Sequence, residues 1–104
     1  MKIAVTSQNF RTITGHAGKA RRFLLYAKNA QGEWQEYERL DLPKNMSMHE
    51  FSGSKHPIDA VDVLITAGCG SGFVHKMQAK GIRLVSTEET DPYTAVSHYA
   101  ASLP

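Results

Sequence analysis

Cysteine is almost missing from this chain: Cys69 is the only one. A single cysteine excludes an internal disulfide and fits a reducing compartment. No Cys-x-x-Cys pair and no histidines at zinc-ligand spacing occur, so the sequence encodes no zinc site. No apolar run approaches the roughly 20 residues needed to cross a bilayer. The start, Met1-Lys2-Ile3-Ala4-Val5-Thr6-Ser7, lacks the apolar core and small-residue cleavage site of a signal peptide. Neither sign of charge dominates: 12 Lys and Arg against 10 Asp and Glu leave a formal +2. Without a concentrated basic face, that balance argues against nucleic acid. Internal repeats and low-complexity segments are absent. The expectation is a cytoplasmic protein with neither a membrane nor a nucleic acid as partner.

What is present suits one domain over residues 1–104, with 41% hydrophobic and 21% charged residues. Ile3-Ala4-Val5 reads as a short buried strand. Residues 9–20, with Gly15 and Gly18, read as a loop. Arg22–Ala27 is a second strand. Asn29-Ala30-Gln31-Gly32 is a hairpin signal, and Glu33–Leu40 alternates polar with aromatic or apolar residues, as a half-wetted strand does. Residues 44–57 show no period; a connection of that length reads as a lid-like segment, with a helical turn near Met48–Ser52. Residues 62–67 form a buried strand. Gly72–Lys80 follows a helical pattern that Gly81 stops. Ile82–Ser86 is a strand. Thr90 or Asp91 caps a last helix, with Pro92 in its first turn and Tyr93, Val96, Tyr99, Ala100 and Leu103 as its apolar face. Hairpins followed by strand–helix alternation predict an α/β fold, a mixed five-stranded sheet with helices packed on its faces.

The chemistry gathers where two connections meet. If the first strand and strand 62–67 lie side by side and parallel, their carboxyl ends open at one sheet edge, where ligands of open α/β sheets collect. Loop 8–18 then faces the bend Gly68-Cys69-Gly70-Ser71-Gly72. Three glycines in five residues leave main-chain N–H groups bare beside the positive end of a helix. Gly15, His16 and Gly18 approach from the other side, with Arg11, Lys19, Arg21 and Arg22 nearby. His16 reads either as a loop histidine bonded to a neighbour or as a ligand. Cys69 reads either as a small space-filling residue or as a thiolate activated by the helix end. The glycine pattern is only loosely that of a nucleotide-binding bend, because it follows a middle strand and no Lys-Ser/Thr completes a phosphate loop. Met46, Met48 and His49 are soft and borderline donors, or else cover for the core. His56 shapes the turn before Pro57, and His75 and His98 read as peripheral. Asp59 and Asp62 have no evident acid/base role, and no hydrolytic triad is apparent. The strand order resembles that of ribonuclease-H-like domains. Those place a metal-binding carboxylate in the first strand, where this chain has Ser7 and Gln8; nuclease chemistry is not expected.

Taken together, Met1–Ser7, Gly15-His16-Ala17-Gly18-Lys19-Ala20 before Phe23-Leu24-Leu25-Tyr26, Val61–Ile65 leading to Gly68–Gly72, and Ala79-Lys80-Gly81-Ile82 resemble the dinitrogenase iron–molybdenum cofactor biosynthesis family. The resemblance runs almost end to end and rests on the order and spacing of these segments. It implies a ribonuclease-H-like mixed sheet without nuclease activity. It also implies binding or carriage of an iron–sulfur or molybdenum–iron–sulfur cluster, accessory to cofactor biosynthesis in nitrogen fixation. Family members commonly carry a ligand histidine in a His-Phe-Gly motif; His16 matches it, with Ala17 replacing the aromatic residue. The family's bend often lacks cysteine, so Cys69 is a departure.

These readings converge on a non-catalytic carrier. Gly15, His16, Gly18, Gly68, Cys69, Gly70, Ser71 and Gly72 would line the site. His16 and Cys69 would ligate the metal, with Met48 and His49 as secondary donors from the closing segment. A cluster-assembly or acceptor protein would be the partner. The competing readings are a metal-free protein–protein interaction module with the same fold and a small enzyme with Cys69 as nucleophile.

Overall fold

The computed structural model describes residues 1–48, 50–51 and 55–103. Strand β1 (Lys2–Thr6) is buried along Ile3–Thr6 and forms the middle of the sheet. Its side chains alternate, as strand geometry requires. Ala4 points into one core cluster, and Ile3 and Val5 into the other. Strand β2 (Arg22–Lys28) runs antiparallel to β1, with Ile3 opposite Tyr26 and Val5 opposite Leu24. Strand β3 (Trp34–Asp41) pairs antiparallel with β2, with a register shift at Leu25/Tyr26. The hairpin between them turns on Asn29. Its Oδ1 accepts from the N–H groups of Gln31 (2.9 Å) and Glu33 (3.0 Å), and Gly32 takes the left-handed φ of 79°.

On the other side of β1 lies β4 (Val63–Thr66), parallel to it with Val5 opposite Ile65. Beyond it β5 (Arg83–Ser86) is parallel to β4. The sheet is therefore mixed and five-stranded, in the order β3-β2-β1-β4-β5. The first strand and strand 62–67 do lie side by side and parallel, as the site argument supposes.

One helix covers each face. Helix α1 (Ser71–Lys80) buries Phe73 and Met77, which pack with Ala4, Phe23 and Leu64. Gly81 ends it at φ 74°, and Ile82 N–H donates to the Met77 carbonyl at 2.9 Å. Helix α2 (Pro92–Ala101) lies on the opposite face, where Ala95 and Val96 pack with Ile3, Val5 and Ile65. Asp91, one of the two expected caps, fills the role: its Oδ2 accepts from Thr94 N–H at 2.9 Å. Tyr93, expected on the apolar face, is exposed: the inward row runs Pro92, Ala95, Val96 and Tyr99, and Tyr93, one position after Pro92, is turned about 100° off it. Each fully buried Ile, Leu, Phe or Val contributes about 1.5–3 kcal/mol.

The described part of the connection from β3 to β4 packs on the α1 face through Leu42, Met48, Phe51 and Ile58. It carries two short 3₁₀ turns, Lys44–Met46 and Pro57–Ala60. Between them the Ser47 carbonyl accepts from the N–H groups of Glu50 and Phe51, a turn close to the expected position. His56, which the sequence marks only as shaping the turn before Pro57, is buried and caps the second turn. Its Nδ1 accepts from Ile58 N–H at 3.1 Å while Asp59 Oδ2 accepts from His56 N–H at 3.0 Å. Its Nε2 meets the Met46 carbonyl, so one imidazole ties both turns together. Among the described residues no helix is long and apolar enough to cross a membrane.

Candidate functional site

The carboxyl ends of β1 and β4 share one sheet edge, and the connections leaving them are stitched together. Thr6 and Thr66 end these strands side by side, both fully buried. Thr6 Oγ1 donates to the Thr14 carbonyl at 2.6 Å and lies 2.8 Å from Thr66 Oγ1. Thr66 Oγ1 is 3.2 Å from both the Thr14 and Gly68 carbonyls, and Ala67 N–H donates to the Thr14 carbonyl at 3.2 Å. One step further, Ala17 N–H donates to the Gly68 carbonyl at 3.2 Å. A Cβ on Gly15 would lie 3.6 Å from Gly68 N, so the two bends pass backbone to backbone. The threonines that make this stitch were not singled out in the sequence; the available signal was a Thr at the end of each of two β-branched runs.

This docking sets His16 opposite the start of α1. His16 is exposed and takes the left-handed conformation (φ 53°, ψ 49°) before a short 3₁₀ turn, Ala17–Lys19. Few non-glycine residues adopt that region; Asn, Asp and His are the most tolerant of it. Across from it Gly70 caps α1 without any side-chain acceptor. The first-turn N–H groups of a helix have no intrahelical partner, so they remain available to an anion. His16, Gly18, Lys19, Gly70, Gly72 and Phe73 line one hollow of about 300 Å³. It holds an imidazole, an ammonium, a bare helix start and one aromatic wall.

Other expected members sit elsewhere. Cys69 is half-buried against the α1-side core and lines a different hollow of about 400 Å³, with Val74, Gln78, Arg83 and Leu84. Two residues from the same bend thus open in two directions. Met48 is buried at 3% exposure among the α1-side core residues, and its carbonyl accepts from Lys76 Nζ at 2.6 Å. The structure does not bring its thioether to the His16 hollow. His49 lies outside the described residues. Ser71 opens α1 and is exposed. Lys19 and Phe73 line the hollow although neither was expected as a site residue: Phe73 reads as helical core, and Lys19 as one of several nearby cations.

The other aspartates and histidines named from the sequence make structural contacts or lie on the surface. Asp59 pairs with Lys80 Nζ at 2.6 Å. Burial pushes its carboxyl up, but Lys80 and the His56 N–H outweigh that and hold it below the usual range. Asp62 Oδ2 accepts from Lys2 N–H at 2.8 Å. Burial holds the His56 imidazole below its ordinary pKa, against the opposing pull of the Met46 carbonyl. Tyr26 is pushed up to about 12 by burial and by Glu36 and Asp91. His75 is exposed, and His98 Nδ1 lies 2.6 Å from Glu89 Oε1 on the surface. Among the described residues, no three His, Cys, Asp or Glu side chains come together to hold a metal ion.

No curated protein matches this chain significantly. Among solved structures, the fold is similar to the crystal structure of PH0822. The TM-score is 0.72 at 15% identity, over 97% of this chain and 91% of that one. It is also similar to the NMR structure of a candidate NifB protein from Thermotoga (TM1290) of the DUF35 family. There the TM-score is 0.65 at 14% identity, over 97% and 88% of the two chains. At such identities the likeness shows the fold alone. The family model for dinitrogenase iron–molybdenum cofactor proteins matches residues 1–102, and the chain belongs to that family.

Proposed function

We propose that this protein is a non-catalytic carrier of an anionic iron–sulfur or molybdenum–iron–sulfur cluster, taken as cargo. The observation that carries the reading is the single hollow joining His16 and Lys19 to the start of α1. The family describes a cofactor of just this chemical class. His16 supplies a borderline nitrogen ligand through its imidazole. The N–H groups at Gly70, Ser71 and Gly72 and the Lys19 ammonium offset sulfide charge through hydrogen bonds. Phe73 shields one side from water. Gly15 and Gly68 bring the two walls together, and Gly18 leaves the rim open.

The donor set fits a preassembled, multiply charged cluster better than a single ion. Of the residues lining the hollow only His16 carries a ligating side chain, whereas a lone transition-metal ion usually takes three or four protein ligands. Cys69 and Met48 serve as ligands only if the bend or the segment around Met48 rearranges on loading, and His49, outside the described residues, stays a candidate donor. The reading includes cytoplasmic residence, a single domain over 1–104 and an accessory place in nitrogen fixation, with a cluster-assembly or acceptor protein as partner. A ribonuclease-H-like description of the sheet rests on the order β3-β2-β1-β4-β5 with β2 antiparallel to β1.

The competing reading is a metal-free interaction module with the same fold. Anaerobic titration with isolated cofactor, followed by visible absorption and metal content after gel filtration, separates the two. The carrier reading expects stoichiometric uptake by the wild type and at least tenfold weaker uptake by His16→Asn, which tolerates the left-handed backbone but lacks the ring. A colourless protein, or a His16→Asn variant that loads as well as wild type, overturns it.

A further inference from the structure

A second hollow, of about 530 Å³, adjoins the first and shares Lys19 with it. It is lined by Lys19, Arg21, Lys44, Ser47 and Glu50. Three cations from three segments meet there: the 3₁₀ turn after His16, the residue before β2 and the turn after β3. Their meeting is built into the backbone, because Leu42 N–H donates to the Arg21 carbonyl at 2.9 Å and sets Lys44 beside Arg21. Glu50 is the one carboxylate in the lining. None of the three cations is in an ion pair among the described residues. Arg22, one residue on, is paired with Asp41 at 3.1 Å and differs from them in that respect.

Unpaired cations gathered on one side of a chain whose formal charge is only +2 are a local field, not a property of the whole surface. Such a field favours a complementary acidic patch and speeds its approach. Lys19 and Lys44 are exposed and Arg21 half-exposed, so the hollow is a shallow tray and not an enclosed cavity. Several carboxylates on one rigid surface can engage the three cations together. A single small anion in so open a site stays mostly hydrated and gains little.

We propose that Lys19, Arg21 and Lys44 form a docking surface for an acidic face of a partner protein, placed beside the His16 hollow. The geometry stands on its own; its meaning, that the partner donates or receives the cargo, rests on the carrier reading above. An acidic surface seated on the tray reaches Lys19, and so reaches the rim of the cargo site.

The test measures binding of a fluorescein-labelled hexaglutamate peptide by anisotropy at about 20 mM and 200 mM salt, a range over which exposed charge pairs become largely screened. Wild type is expected to bind, with affinity falling at least fivefold at the higher salt. Arg21→Glu with Lys44→Glu is expected to lose binding, and Arg21→Gln with Lys44→Gln to weaken it at least fivefold. The milder pair keeps the test informative if charge reversal unfolds the protein. Lys2→Glu with Lys28→Glu changes the net charge equally at the opposite sheet edge and is expected to bind within twofold of wild type. Equal loss in this control pair, retention of binding in both tray variants, or inorganic phosphate competing as well as the peptide at equal concentration would overturn the proposal. The two readings separate cleanly: peptide binding that survives in His16→Asn, in a protein that takes up no cofactor, leaves the docking surface standing and removes the cargo.

Discussion

At the residue scale the decisive side chains are small or unusual in conformation. Thr66 places one buried hydroxyl 3.2 Å from the carbonyl of Thr14, 52 positions away, and from that of Gly68. Replacing it with valine keeps the shape and removes the bonds. Thr66→Val should cost about 1–3 kcal/mol, and a domain of this size loses roughly 4–8 °C of Tm per kcal/mol. Thermal melts check the loss, and a drop under 1 °C would mean the stitch carries no weight. His56 gives a pH dependence of known sign. Its Nδ1 must be unprotonated to accept from Ile58 N–H, and burial lowers its folded pKa below the ordinary 6.5. Above pH 6.5 both states are neutral and the contribution is complete. As pH falls below 6.5 the unfolded chain takes up the proton first, so stability declines until the folded pKa is passed. Urea midpoints of wild type should fall across this window more steeply than those of His56→Asn, which keeps a capping side chain without the titration.

At the element scale, most of the strands and helices were legible. β1 and β4 are β-branched runs, the β2–β3 hairpin carries its Asn and Gly, and α1 ends at its glycine. The connection 44–57 was not legible as a packed segment. Its two 3₁₀ turns are too short for a period, and the histidine that joins them does so across ten residues. Met48 illustrates the same limit: a methionine between polar residues gives no sign of which face it will meet. Cys69 shows another, since the sequence puts it in the right bend while only backbone geometry decides which way it opens. The uncapped start of α1 yields a prediction at this scale. Gly70 has an ordinary extended conformation with open space around its Cα. Gly70→Asp should therefore supply the missing cap and stabilise the fold by a few tenths of a kcal/mol. The added carboxylate would occupy the N–H groups an anion needs, so cofactor uptake should fall at least tenfold while Tm holds or rises. Uptake unchanged in this variant would separate the helix start from the site.

At the scale of the whole molecule, the edge at the carboxyl ends of β1 and β4 gathers His16, Lys19 and the start of α1. Parallel pairing of β1 with β4, which the sequence allows only as a supposition, is what puts residues near 16 and 70 on one rim. What the sequence could not convey is that the rim divides into two hollows sharing Lys19, because that depends on where the β3–β4 connection lies. A ligand that binds only the folded state stabilises it globally. Cofactor at 100 times its Kd should add about 2.7 kcal/mol, a Tm rise of roughly 10 °C or more for a domain of this length. Calorimetry of loaded and unloaded protein checks it, and His16→Asn should show a much smaller rise.

The Thr14 carbonyl receives donors from β1, from β4 and from the residue after β4. Peeling the mouth open therefore means breaking bonds rooted in the central pair of strands. The vessel is set before anything is poured into it: on the carrier reading, filling or emptying it would leave its base folded. In hydrogen exchange the Ala67 amide, although it lies just beyond β4 on an exposed residue, should be as slow as the amides of the sheet itself.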